Sequence, residues 1–341
     1  MKETKKRSKL LLLTAAMVIV LAACGGNDKN STGNSNNVGQ DKVVQTENPE
    51  NTKEDEPLKP NGEIAETKKF TDWTGHEVEV PVDPKRVIFH GETTGDLLAL
   101  GVKPVGILKS NVDGSVYDEQ LKSAEDVGFP FNLEKAMTLN ADLIIFGNAD
   151  AAQYEQISKV APTVTFDTFA SLEDRMRTLG ELFGKQEEAE KWLADYDLQL
   201  KDMWKQLHDA GIGQDETASV FTMYPGERLF AMARTGLSQV LYEKDGFKPT
   251  PAIQQALDQD QGFVELSMEK LPEFAGDRIF ILTPIDKEAV QDIEQLLESS
   301  IWKSLPAVKS GKVYTFHILE AYSDAISREW IAKNLPKVLI S

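Results

Sequence analysis

"KQEEAEKWLADYDLQLKDMWKQLHDAG", residues 185–211, is the stretch on which the architecture turns. Ala189, Trp192, Leu193, Tyr196, Leu200, Met203, Trp204 and Leu207 recur at helical spacing, leaving charged residues on the other faces. Gly211 stands where a left-handed C′ glycine ends such a helix. About 26 residues, at a rise of about 1.5 Å each, make a rod about 39 Å long. Such a rod is long enough to run across two lobes.

Outward from this helix the chain alternates short apolar runs with helical patterns, the signature of βαβ units. "RVIFH" at 86–90, "PVGIL" at 104–108, "DLIIFG" at 142–147 and "TVTF" at 163–166 read as strands on one side. "ASVFTMY" at 218–224, "RIFILT" at 278–283 and "KVYTF" at 312–316 continue the series on the other. "GETTGDLLALG" at 91–101 reads as a short helix. The two halves also share a segment, "NLEKAMTLNADLIIF" at 132–146 and "SMEKLPEFAGDRIFI" at 267–281. Each opens on an N-cap residue type, Asn132 or Ser267, and carries Glu-Lys two residues later. Each reaches an aspartate, Asp142 or Asp277, just before an apolar strand. The expected fold is α/β: two Rossmann-like lobes joined by one long helix, with a ligand cleft between them.

Further out, Lys2, Lys5, Lys6, Arg7 and Lys9 precede the apolar run Leu10 to Ala23. The run is too short and wrongly flanked for a stable span, and residues 1–23 read as a signal peptide. Leu21-Ala22-Ala23-Cys24 resembles the lipobox of bacterial lipoproteins, which implies cleavage before Cys24 and a lipid on its thiol. Cys24 is the only cysteine, so no disulfide framework exists. Residues 24–66 are polar and predict a disordered tether with a reach of about 35 Å. Removing residues 1–23 takes the formal charge from −18 to −22, because five basic residues and one acidic residue go with them. A body so acidic is a poor partner for nucleic acid. Residues 67–184 then form the N-terminal lobe, 185–211 the linking helix and 212–341 the C-terminal lobe.

Residues 70–341 resemble the helix-linked substrate-binding proteins of bacterial iron–siderophore, haem and cobalamin ABC importers. The resemblance is carried by "FTDWTGHEVEVPVDPKRVIFHGETTGDLLALGVKPVGI" at 70–107, "LEKAMTLNADLIIF" at 133–146 and "SMEKLPEFAGDRIFIL" at 267–282. "IWKSLPAVKSGKVY" at 301–314 and "AYSDAIS" at 321–327 complete it. It implies a monomer anchored by Cys24 to the outer face of a membrane, the Gram-positive arrangement. Such a protein captures an Fe(III)–siderophore complex and delivers it to the two permease subunits of an ABC importer. It further implies that one glutamate on each lobe docks the permease, which selects Glu134 and Glu269, with Glu265 in reserve. The helix dipole alone also suits a glutamate at those positions.

Ligands in such folds sit at strand carboxyl ends. Those ends are His90 to Thr94, Lys109 to Asn111 and Asn148 to Asp150 in the first lobe. In the second they are Tyr224, the "AMARTG" turn at 231–236, Thr283 and "HILEAYSD" at 317–324. Arg and Lys suit siderophore oxygens and aromatic rings suit the organic backbone. Lys109, Arg234, Tyr224, Tyr322 and His90 are therefore the candidate ligand contacts. Hydroxamate binders of the resembled family often carry Trp-Gly-Arg-Gly where this chain has "ARTGLSQVLY", so catecholate and carboxylate ligands stay open. Haem held by His317 or His90 with Met232, and cobalamin, are the alternatives of the same fold. With His76 in an early turn and His208 on the long helix, no three-histidine zinc site is expected. An enzyme is the rival class, but no Gly-x-Ser-x-Gly, P-loop or His-Glu-x-x-His motif is present. A surface adhesin without a small ligand is the third.

Overall fold

The structure, a computed structural model, describes residues 66–213 and 215–340. The leader, Cys24 and residues 25–65 of the tether lie outside them. The first lobe opens with an antiparallel hairpin, β1 (Thr67–Thr71) and β2 (Glu77–Pro81). It continues with β3 (Val87–His90), β4 (Gly106–Ile107), β5 (Glu125–Asp126), β6 (Leu143–Phe146) and β7 (Thr163–Thr165). These pair in the order β5-β4-β3-β6-β7, parallel throughout. Every residue of β3 and β6 is buried, as a parallel sheet covered on both faces requires.

The second lobe contains β8 (Thr217–Tyr224), β9 (Arg228–Met232), β10 (Lys248–Pro249), β11 (Phe263–Leu266), β12 (Arg278–Thr283) and β13 (Val313–His317). Its order is β11-β9-β8-β12-β13, with β10 added beside β8. β8, β12 and β13 run parallel, whereas β9 and β11 are antiparallel. β9, paired on both sides, corrects the expectation of a turn at 231–236, because Ala231 and Met232 complete it. The turn itself begins at Ala233.

The linking helix runs Gln186–Asp209. Gly211 has φ +77°, a conformation that glycine adopts without steric cost. Its N–H donates to the His208 carbonyl and that of Ile212 to the Leu207 carbonyl, each at 2.9 Å. This pair of bonds is a Schellman closure. Tyr196, Leu200, Met203, Trp204 and Leu207 on the helix belong to one core that takes in Val87 and Phe89 from the first sheet and Val220 and Phe280 from the second. The lobes therefore share apolar packing rather than hanging from a free rod. A C-terminal helix, Ala325–Ile340, lies along the linking helix and against the short helix Thr94–Ala99 of the first lobe. It adds a second bridge between the lobes.

The matching segments do the same job in each lobe. Asp142, just before β6, accepts the backbone N–H groups of Lys85 and Arg86 at 2.7 and 2.9 Å, ahead of β3. Asp277, just before β12, accepts the N–H and hydroxyl of Thr217, both at 2.8 Å, at the start of β8. Both aspartates thus clamp the start of the neighbouring parallel strand. The helices that precede them differ. Asn132 caps Leu133–Thr138 through Oδ1, which accepts the Lys135 N–H at 3.0 Å. Ser267 precedes a 3-10 turn, Met268–Lys270, and makes no side-chain cap, which corrects the expected N-cap there. Among the described residues no helix is long and apolar enough to cross a membrane.

Candidate functional site

A cavity of about 360 Å³ lies where the two lobes meet. Glu92, Thr168 and Phe169 reach it just after β3 and β7 of the first lobe. Tyr224, Leu282 and Ile318 reach it at or next to the carboxyl ends of β8, β12 and β13. A second crevice of about 310 Å³ shares Phe169, Arg234 and Gln239 with it, so the groove extends beyond the first chamber. Both volumes lie at the small end of ordinary ligand sites.

The turn after β9 brings Arg234 to the rim. The N–H groups of Ala233 and Arg234 both donate to the Gly262 carbonyl, at 2.9 and 2.8 Å. Gly236 then passes against the loop that carries Tyr322. A Cβ at position 236 would lie 2.1 Å from the Ala321 carbonyl oxygen, and φ is +54°. Only glycine fits so close to another backbone. Arg234 itself donates through Nη1 to Asp260 Oδ1 at 3.2 Å and through Nη2 to the Asp260 carbonyl at 3.5 Å.

Arg175 lines the same cavity but is a strut. It is 1% exposed. Its Nε donates to Asp96 Oδ2 at 2.8 Å, Nη1 to the Ala170 carbonyl at 2.7 Å, and Nη2 across the junction to the Ser323 carbonyl at 2.6 Å. Asp96 Oδ1 also accepts the Ala325 N–H at 2.7 Å, at the start of the C-terminal helix. Beside it Asp324 accepts the N–H and hydroxyl of Ser327, at 2.9 and 2.8 Å, and the Tyr117 hydroxyl at 3.4 Å. Burial pushes the Asp324 carboxyl up to about 6, and the Asp96 charge adds to the rise.

Tyr224, Tyr322 and Arg234, chosen from the sequence, come together in the cavity. Lys109 and His90 do not join them. Lys109 sits in a 3-10 turn, Lys109–Asn111, and its Nζ pairs with Asp113 at 2.9 Å. His90 is buried among Phe129, Phe131 and Phe146, with Nε2 3.0 Å from the Gly128 carbonyl. Burial lowers its pKa, which favours the neutral ring. Met232 lines the cavity, but His317 caps the turn Ile318–Glu320 instead, its Nδ1 accepting the Leu319 N–H at 3.4 Å. Neither His317 nor His90 lines the cavity beside Met232. Among the described residues no group of three or more His, Cys, Asp or Glu side chains is placed to hold a metal ion.

Sequence reasoning missed Glu92, Phe169 and Phe263 as cavity residues. Glu92 was within sight, inside the strand-end stretch 90–94. Phe169 and Phe263 are 58% and 48% exposed, large rings turned to open space in the groove. Burial raises the hydroxyl pKa of Tyr224 and Tyr322, and the Glu92 charge adds to both. Glu92 is still in contact with water, yet protein crowds it on enough sides that desolvation raises its carboxyl as well. The site is therefore aromatic and oxygen-rich, with charges of both signs.

Three comparisons with known proteins agree with this picture. A profile of the periplasmic binding protein family matches residues 87–318. The iron(3+)-hydroxamate-binding protein FhuD of Bacillus subtilis (strain 168) is 31% identical over 272 residues, 78% of this chain and 84% of that protein. The probable siderophore-binding lipoprotein YfiY of the same organism is 30% identical over 271 residues, 74% of this chain and 82% of that one. Among solved structures, the FhuD protein from S. pseudintermedius aligns with a TM-score of 0.70 at 27% identity, covering 81% of this chain and 99% of that one. The mixed α/β fold, with its parallel sheet and long helix, matches that of these neighbours. With the family profile spanning both lobes, the chain belongs to the periplasmic binding protein family, whose members bind substrates rather than transform them.

Proposed function

We propose that this chain captures a ferric siderophore at the lobe junction and delivers it to the permease of an ABC importer. The observation that carries the reading is the cavity itself. It places Arg234, Tyr224 and Tyr322 beside exposed aromatic rings, donors and flat apolar surface that suit an oxygen-coordinated ferric complex with an organic backbone. The names of the relatives support the same cargo, hydroxamate for FhuD and a siderophore for YfiY. In this reading Cys24 carries the lipid that holds the protein at the outer membrane face, residues 25–66 act as a flexible tether, and Glu134 and Glu269 meet the two permease subunits.

The test is a titration of the purified chain, followed by tryptophan fluorescence. Ferric complexes of a hydroxamate, a catecholate and a carboxylate siderophore are compared with haem and cobalamin. Saturable binding of at least one ferric siderophore is expected, without binding of haem. Binding of haem or cobalamin alone, or of nothing in the panel, defeats the reading.

A further inference from the structure

Three charged side chains line the cavity: Glu92, Arg175 and Arg234. The two guanidinium groups already have counter-charges, Asp96 for Arg175 at 2.8 Å and Asp260 for Arg234 at 3.2 Å. Glu92 makes no ion pair or hydrogen bond with any described residue. The uncompensated charge of the cavity is thus negative, in a chamber whose other walls include Phe169, Tyr224 and Tyr322. A free carboxylate among aromatic faces is the arrangement that attracts an organic ammonium, through charge pairing and the negative faces of the rings. The same carboxylate repels a polyanion entering the same chamber.

We infer that Glu92 selects the charge of the cargo, favouring ferric complexes that carry a cationic arm and disfavouring polyanionic ones. The inference rests on the capture reading above and narrows it to a charge class. Of the two cationic candidates named from the sequence, Lys109 is absent from the cavity and Arg234 is shared with Asp260, so neither outweighs Glu92. The iron-coordinated oxygens face Arg234 and the tyrosines, while the ammonium arm lies toward Glu92.

The test uses two probes that differ at one end of the chelator: ferric desferrioxamine B, which has a free ammonium, and its N-acetyl derivative, in which a neutral amide replaces it. Both are titrated against the wild-type chain and Glu92→Gln, with far-UV circular dichroism confirming that the variant is folded. Wild type is expected to bind the ammonium-bearing complex at least tenfold more tightly than the acetylated one. In Glu92→Gln the ratio should fall to within about twofold. A ratio near one in wild type, or the same ratio in the variant, overturns the inference while leaving the capture reading intact. Tight binding of a ferric tris-catecholate with no binding of either hydroxamate does the same. Binding of no ferric complex overturns both.

Discussion

Arg234 sits at the rim with only part of its guanidinium engaged, since Asp260 receives one bond from each of Nη1 and Nη2. Guanidinium N–H groups not used in this way remain for ligand oxygens. Arg234→Ala should weaken binding of the preferred ferric siderophore by about 1.5–3 kcal/mol, the range for hydrogen bonds to charged groups. Lys109→Ala removes only a surface pair with Asp113 and should change affinity by less than about 0.5 kcal/mol. Calorimetric titration of both variants decides the matter, and equal losses would move the site toward Lys109. The contrast shows what strand-end reasoning can do. It identifies the end of the strand at which a ligand sits, because loop backbone and helix termini gather there. It does not say which way a side chain leaves its turn, and that direction separates Lys109 from Arg234. Phe263 was invisible for a related reason, since it opens a four-residue antiparallel strand too short to leave a periodic pattern.

At the scale of elements, the junction between the helix Thr94–Ala99 and the C-terminal helix buries charged side chains. Asp96, Arg175 and Asp324 are buried there; Arg175 bonds Asp96, while Asp324 has only Ser327 and Tyr117 as side-chain partners. The folded value of Asp324, about 6, lies above its unfolded value of 3.8. The native state therefore holds a proton that the unfolded chain has released between those two pH values. The stability contributed by the protonated group is complete below about 3.8 and is lost as pH rises through about 6, a difference of about 3 kcal/mol. Relative to Asp324→Asn, wild type should gain about 1–2 kcal/mol when pH falls from about 7.5 to about 5. Urea unfolding of both proteins across that window measures the difference, and parallel pH profiles would refute it. None of this was readable in the chain. "GDLLALG" and "AYSDAIS" lie more than two hundred residues apart, and nothing local marks Asp96 or Asp324 as buried partners.

For the whole molecule, the two lobes present matching exposed glutamates, Glu134 and Glu269, near related aspartate clamps. Glu265 is less available, because Arg228 holds it with two bonds of 2.9 Å. If Glu134 and Glu269 engage the two permease subunits, Glu134→Ala with Glu269→Ala should leave ligand binding intact and reduce iron uptake in cells, more than either change alone. Normal uptake by the double variant at normal protein levels would leave local helix electrostatics as the whole role of these residues. Anchoring is checked separately. Cys24→Ala should release the chain to the medium or leave it unprocessed, and a processed variant still held at the membrane would argue against the lipid.

The long apolar stripe of residues 189–207, the buried strand runs and the paired Glu-Lys…Asp segments carried the two-lobed α/β plan without any coordinates. They could do so because periodicity and strand burial are local consequences of which side chains can leave water. The resemblance at 70–341 extended that plan to a binding protein. Only folding assigned the cavity its walls and its charge, set His90 in an aromatic pocket, and locked Asp96 to the C-terminal helix. Those contacts join residues far apart in the chain, and their energies depend on direction and on exclusion of water, neither of which a linear pattern records.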